Sequence, residues 1–277
     1  EKDLARIKKI AERERAPFYV VGETTGDDRF VFEQADGVKP IDLGMKDMFG
    51  SSPKTVMTDS TKHHKYKAVK TDAAKLNEYI ETVLQIEGVA CKDWLTNKVD
   101  RSVTGKIARQ QCQGEIQLPL SDCGVVALDY TGNSGIATSI GHAPQAGLID
   151  PAAGSVLSIT EALTNIVGAN LNGGLKAVSL SANWMWPCRN EGEDAGLYRA
   201  VKACSDFACS LGINIPTGKD SLSMTQKYGN KKVIAPGTVI ISAGGEVCDV
   251  KKTVSPVLQQ KKSRLYYIDF SGCDMQL

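Results

Sequence analysis

Pro151-Ala-Ala-Gly-Ser-Val-Leu-Ser-Ile-Thr-Glu161-Ala-Leu-Thr-Asn165-Ile-Val167 reads as a helix, opened by Asp150-Pro151 and closed near Asn172-Gly-Gly174. From Pro151 to Leu175 the only formal charge is Glu161. A carboxylate in such company needs a partner, because desolvating it alone is costly. At about 100° per residue, Val156, Ile159, Leu163, Ile166 and Val167 share one stripe, which leaves Glu161 and Asn165 together on the opposite face. That face is a candidate site.

Upstream, Leu118-Pro-Leu-Ser-Asp-Cys-Gly-Val-Val-Ala-Leu128 reads as a strand, and Thr131-Gly-Asn-Ser-Gly135 as a turn into a second strand, Ile136 to Ile140. Asp122 is the misfit. An acid among Leu, Cys, Val and Ala is disfavoured unless it ends the sheet, binds a cation or is locally hydrogen-bonded. Downstream come a strand from Lys176 to Ala182, a loop Asn183-Trp-Met-Trp-Pro187 and a helix from near Asp194 to Gly212, with Leu197, Val201, Cys204, Ala208 and Leu211 on its apolar face. A short strand Ile213-Asn-Ile215 and another from Thr238 to Gly244 close the unit. Helices and strands alternate, so the fold class is α+β, with α/β alternation.

A complete domain is expected from about Ile80 to Val250, preceded by a connecting segment over Met57–Tyr79 that lacks apolar periodicity. Before it lie a charged helix, Lys2 to Arg15, and strands at Phe18-Tyr-Val-Val21 and Arg29-Phe-Val-Phe-Glu33; after it Leu265-Tyr-Tyr-Ile-Asp269 reads as a strand beginning a new unit. Both ends read as cuts through larger domains.

With 277 residues, 42% of them hydrophobic, the chain can bury a core of one large or two smaller domains. Its net charge of +1 argues against nucleic acid or an acidic membrane surface as the main partner. No apolar run approaches the roughly 20 residues of a membrane helix, and no signal peptide precedes the fold, so the expected location is the cytoplasm. Eight scattered cysteines form no C-x-x-C pair and read as reduced, mostly buried thiols. His63, His64 and His142 read as loop or surface residues.

Gly212-Ile-Asn-Ile-Pro-Thr-Gly218-Lys219-Asp220-Ser221 resembles a phosphate-binding P-loop but has five residues between its glycines and an Asp where the magnesium-binding hydroxyl belongs. It also follows a helix and precedes none. Two readings stay open: a phosphate-contacting loop of another design, using Lys219 and the amides beside Gly218, or a surface turn. For Asp122, Glu161 and Asn165 the readings are a magnesium site, since hard cations take carboxylate and amide oxygens, or an ion pair and a buried hydrogen bond.

In order along the chain, Asp100-Arg-Ser-Val-Thr-Gly105, Leu118-Pro-Leu-Ser-Asp-Cys123, Asp150-Pro-Ala-Ala153, Thr160-Glu-Ala-Leu-Thr-Asn165, Leu180-Ser-Ala-Asn-Trp184, Gly192-Glu-Asp-Ala-Gly-Leu-Tyr198 and Thr217-Gly-Lys-Asp-Ser-Leu-Ser223 closely resemble the large, single-chain form of phosphoribosylformylglycinamidine synthase. The resemblance implies an aminoimidazole ribonucleotide synthetase-like N-terminal domain over 86–250, the second such domain of the synthetase. It is preceded by the end of the first C-terminal domain (1–56) and a linker (57–85), and followed by the start of the second C-terminal domain (251–277).

It further implies Asp122, Glu161 and Asn165 as Mg2+ ligands, Ser121 as a nucleotide contact, and Lys219, Asp220 and Ser221 as residues near the phosphates of ATP or ADP. Asp100-Arg101 and Thr104-Gly105 would face substrate. The implied reaction activates formylglycinamide ribonucleotide with ATP and displaces phosphate with glutamine-derived ammonia. The missing synthetase and glutaminase domains are the implied partners, so this chain alone is expected to be inactive. The alternatives are a non-catalytic Mg-nucleotide-binding module, or another ATP-using enzyme of the same superfamily, such as a selenophosphate or thiamine-phosphate enzyme.

Overall fold

The computed structural model describes residues 2–268 other than 52, 55, 64 and 97–104. The chain divides into two units, Glu1–Val56 and Met57–Leu277. The first contains helix α1 (Leu4–Arg13), a hairpin of β1 (Arg29–Phe32) and β2 (Ile41–Gly44), and a short helix α2 (Met45–Phe49). Arg29 on β1 is ion-paired with Asp42 on β2. The expected strand at Phe18–Val21 does not form: these residues are exposed and have no strand partner, so β-propensity had nothing to pair with.

In the second unit, α3 (Leu76–Gln85) and α4 (Asp93–Thr96) precede β3 (Ile107–Arg109), β4 (Cys112–Gln113) and β5 (Leu118–Pro119). Then follow β6 (Cys123–Ala127), β7 (Gly135–His142), α5 (Pro144–Ile149) and α6 (Pro151–Ile166). After them come β8 (Ser179–Met185), α7 (Glu193–Leu211), β9 (Asn214–Ser221), β10 (Thr225–Tyr228), β11 (Lys231–Ile234) and β12 (Thr238–Val247).

Six strands form one sheet in the order β3-β6-β7-β12-β8-β9. All its pairings are antiparallel except β8 with β9, which α7 connects as a crossover. Helices α6 and α7 pack together against the sheet. Ile159, Ile166, Leu180, Ile241, Val125 and Val247 form the centre of this core, each at most 1% exposed. The period of two along β7 is complete: Gly135, Ala137, Ser139 and Gly141 are buried while Ile136, Thr138, Ile140 and His142 are exposed.

Several boundaries differ from the sequence reading. The Leu118–Leu128 run breaks at Leu120–Asp122, so Asp122 precedes β6 instead of interrupting it. Asn183–Met185, expected as loop, complete β8, and Lys176 belongs to a 3-10 turn ahead of it. The Gly218-Lys-Asp-Ser221 segment is strand, paired in parallel with β8, which removes the loop that a phosphate cradle needs. His142 ends a strand and not a turn, and Leu265–Ile268 form no strand, with Asp269 outside the described residues. On the helices, Val167 and Val201 are exposed at 60% and 42%; the buried face of α6 is instead Ser155, Ser158, Ile159, Ala162, Leu163 and Ile166. Small residues let this helix approach the sheet, and periodicity of large apolar residues does not register them.

Of the seven described cysteines four are buried: Cys112, Cys123, Cys188 and Cys204. Burial pushes the Cys204 thiol up to about 11. Burial, with Asp194 adjacent, pushes Cys188 up to about 12. Both shifts are in the direction of inert thiols.

The segment expected to link domains is fastened to the second unit and contains α3. Asp59 Oδ1 accepts from the amide of Gly192 at 3.2 Å, and Oδ2 accepts from Asp194 at 3.1 Å and Ala195 at 3.3 Å, so this carboxylate caps the N-terminus of α7. Lys62 pairs with Glu191 at 2.6 Å, and the Tyr66 hydroxyl donates to the Leu148 carbonyl at 2.6 Å. The Ser60 amide, followed by those of Ala195, Gly192 and Asp194, holds the Asp59 carboxyl below the usual carboxylate range, outweighing desolvation.

A lowered pKa means that the stabilisation is present above the unfolded-state value and is lost as pH falls through the folded-state value. Asp59→Ala is therefore expected to melt below wild type at neutral pH, with the gap closing as pH falls below about 3.9. Thermal melts of both proteins across that range check this; a gap that does not change with pH would show that the charge is not involved.

Candidate functional site

Helix α6 begins where Asp150 accepts from the Ala152 amide at 2.9 Å, with Pro151 in the first turn. It crosses β7 at the end where that strand outruns its neighbour. The first residue of β6, Cys123, pairs with Ser139, so Ile140, Gly141 and His142 lie beyond β6 while β12 still flanks them on the other side. Glu161 Oε2 accepts from the His142 amide at 2.7 Å, and Asn165 Nδ2 donates to the Ile140 carbonyl at 2.9 Å. Four residues of helix rise about 6 Å and two residues of strand about 6.6 Å, so an i, i+4 pair can match an i, i+2 pair running the other way.

The contact is close because residue 141 is glycine. A Cβ there would overlap the Ser158 carbonyl oxygen and the Ala162 amide nitrogen, both helix backbone. Ser139 adds a hydrogen bond from its hydroxyl to the Ala162 carbonyl at 2.6 Å.

Beside this contact is a cavity of about 670 Å³ whose lining includes Arg109, Ser121, Asp122, Thr138, Glu161 and Asn165. The structure thus brings Ser121 together with the three expected metal ligands. Glu161 is exposed, not isolated in apolar surroundings. The Asn165 amide nitrogen is used on β7, which leaves its oxygen as an acceptor, and Glu161 keeps its second oxygen. Asp122 is exposed and forms no ion pair among the described residues.

Two carboxylates and an amide oxygen are a hard donor set that fits Mg2+, given further oxygens from water or a ligand. No group of three or more His, Cys, Asp or Glu side chains among the described residues is placed to hold a metal, so a cation here depends on the amide and on those added ligands. The Ser121 hydroxyl is buried and has no hydrogen-bond partner, a sign of a ligand-facing group.

The other expected nucleotide residues lie elsewhere. Lys219, Asp220 and Ser221 are on β9, opposite Asn183, Trp184 and Met185 of β8, and Lys219 is hydrogen-bonded to Ser221. Strands β7, β12 and β8 separate β9 from β6, a distance of roughly 19 Å at the usual strand spacing. They do not line the Asp122 cavity. Asp100, Arg101 and Thr104 lie outside the described residues.

Arg109 was not anticipated. It is 8% exposed, and its Nη2 has no hydrogen-bond partner. Desolvation holds its pKa below the ordinary arginine value, opposed by the nearby Cys123 sulfur, and burial in turn raises the Cys123 thiol. Strand periodicity does not signal it: a register shift between Ile107 and Arg109 sets Ile107 opposite the exposed Val126 and Arg109 opposite the buried Val125.

The fold is that of solved structures of PurL from Thermotoga maritima. The form complexed with ADP superposes with a TM-score of 0.61 at 16% identity, covering 92% of this chain and 38% of that chain. The form complexed with ATP gives 0.60 at 14%, covering 92% and 37%. Phosphoribosylformylglycinamidine synthase II of the same organism gives 0.57 at 16%, covering 92% and 38%. The chain therefore spans less than two fifths of the length of these proteins.

A PurM-like N-terminal domain, with α6 and α7 on one face of a mixed sheet, is the class this architecture defines. Residues 91–246, more than half of the chain, match the FGAR-AT PurM_N-like domain, and the chain belongs to that family.

Gly141→Ala is expected to destabilise the fold by roughly 1–3 kcal/mol, because helix backbone and not a flexible side chain occupies the space of the new methyl. It should also weaken the bonds from Glu161 and Asn165 to β7. Denaturant unfolding measures the first effect, and faster hydrogen exchange at the His142 amide the second. A variant with wild-type stability and protection would contradict the close packing of α6 on β7.

Proposed function

We propose that this chain is part of the synthetase region of a phosphoribosylformylglycinamidine synthase, a cytoplasmic ligase of purine biosynthesis dependent on ATP and glutamine. The observation that carries the reading is family membership over residues 91–246 combined with a cavity that gathers Ser121, Asp122, Glu161 and Asn165. In the complete enzyme the glycinamide carbonyl oxygen of formylglycinamide ribonucleotide takes a phosphoryl group from ATP. Ammonia from glutamine then displaces phosphate to give the amidine.

Within this chain, Asp122, Glu161 and Asn165 would hold Mg2+, and Ser121 would contact the nucleotide beside them. Bound magnesium supplies neutralisation of phosphate charge. Glu161 and Asn165 contribute position, because α6 and β7 fix them before any ligand arrives. ATP and ADP, with which the Thermotoga proteins are complexed, are of the class that this donor set suits.

A second reading is favoured by the separation of β9 from the cavity: the Asp122 site holds a nucleotide structurally, while chemistry uses another part of the synthetase. Both readings expect the isolated chain to be inactive, with the remaining synthetase and glutaminase domains needed as partners.

Calorimetry with ADP and Mg2+ tests the site. Asp122→Asn, which keeps shape and removes charge, is expected to weaken binding by roughly tenfold or more, as is omission of Mg2+ from wild type. Equal affinities would remove Asp122 from the metal site. Incubating the 277-residue chain with formylglycinamide ribonucleotide, ATP, Mg2+ and ammonia should give no amidine; turnover like that of a complete synthetase would overturn the assignment of the missing parts.

A further inference from the structure

Among the described residues, the buried polar or charged ones are Arg109, Ser139, Ser155 and Ser158, and Arg109 alone carries charge. The three serine hydroxyls donate to the carbonyls of Ala162, Pro151 and Gly154. Arg109 differs: Nη2 bonds to nothing, and none of the ion pairs includes it. A second unpartnered buried atom, Ser121 Oγ, belongs to the lining of the same cavity.

The arginine reaches from β3 towards the C-terminal end of α6, where a Cβ built on Gly168 would lie 3.6 Å from Nη1. Glu161 and Asn165 are spaced i, i+4 on one face of α6, and Gly168 lies in the turn after the helix ends at Ile166, so the guanidinium lies beyond the C-terminal end of that row. The cavity therefore has the Glu161 carboxylate and the Asn165 amide along one wall and an unpartnered guanidinium beyond the C-terminal end of that row. A guanidinium fork matches the paired oxygens of a phosphate, and the Ser121 hydroxyl can donate to another. A simple carboxylate fits less well, because it would face Asp122 and Glu161 without charge enough to share a divalent cation with them.

We propose that Arg109 and Ser121 form the phosphate-binding end of the Asp122 cavity, with Arg109 as its principal anion contact. This rests on reading the cavity as a metal–nucleotide site, and it moves phosphate recognition from Lys219 on β9 to a residue on the opposite side of the sheet. Arg109 is a binding residue and takes no part in bond making.

The test uses the 277-residue chain, titrated calorimetrically with pyrophosphate, ADP, adenosine and ribose 5-phosphate, with and without Mg2+. Wild type is expected to prefer ADP and pyrophosphate over adenosine by about tenfold or more, and Arg109→Met to lose that preference while binding adenosine as before. Arg109→Lys, which keeps the charge without the fork, should restore part of it. Without ligand, Arg109→Met should melt at or above wild type, because the buried charge has no protein partner to lose.

Arg109→Met binding pyrophosphate and ADP within twofold of wild type would overturn the proposal and leave the metal–nucleotide reading standing. Arg109-dependent binding of pyrophosphate together with an Asp122→Asn variant unaffected in Mg–ADP binding would support the phosphate end and reject the metal site. Ribose 5-phosphate bound as tightly as ADP, with the same dependence on Arg109, would also support it and assign the phosphate to a sugar phosphate. Wild type binding none of the phosphate probes would overturn both.

Discussion

The seating of α6 on the overhanging end of β7 is the constraint from which the site follows. Strand β6 stops short, and sheet backbone beyond it would be left unpaired on that side. Glu161 and Asn165 complete it from the helix, at a spacing that nearly matches the strand repeat. This requires the helix to lie closer than ordinary side chains permit, which explains Gly141 beneath it and Ser155, Ser158 and Ala162 on its buried face. The same arrangement turns the Glu161–Asn165 row towards the loop carrying Ser121 and Asp122. A longer β6 would satisfy the strand and fill the cavity mouth at once.

The opposite economy holds at Arg109. An unpaired ion out of water costs several kcal/mol, a sizeable part of the stability of an ordinary domain. The core over which the sheet and helices meet is large enough to offset one such group, since each fully buried Ile or Val contributes about 1.5–3 kcal/mol. The contrast with the buried serines is informative: groups that only have to be accommodated are satisfied by nearby carbonyls, whereas Arg109 and Ser121 are not. Local departures from good protein packing of this kind concentrate where a ligand supplies the missing partner.

Much of this was legible in the chain. The helix carrying Glu161 and Asn165 and Gly212 ending α7 at φ +68° each correspond to a local physical rule and lie where the sequence places them, whereas Asp122, read as interrupting a strand, precedes one, and Glu161 is exposed. The pairing of Glu161 and Asn165 on one helix face followed from helical period alone. What they bind in the protein did not, because nothing local in the sequence says that β6 would end opposite Ser139. Arg109 was missed for a related reason. Its burial depends on the C-terminal end of α6, some 60 residues later, and charge is a poor guide to burial unless the partner element is known. The Lys219 segment erred in the other direction: a glycine-lysine pattern suggested a cradle, and pairing with β8 drew it into a strand.

The bond from His142 to Glu161 does not compete with a metal-binding role for that residue. An ionised carboxylate has two oxygens and about four lone-pair directions, of which the backbone amide uses one. That bond fixes the side chain of Glu161 and so removes conformational freedom that a ligand would otherwise have to quench. The Asn165 amide is oriented in the same way, its nitrogen held by Ile140 and its oxygen therefore directed elsewhere. Structural satisfaction and ligand binding are then parts of one arrangement: the helix pairs with the strand through one atom of each group and leaves the other available to the cavity. Asp122, without such a tether, is the member of the set whose position the fold determines least, and its placement depends on the short turn between β5 and β6.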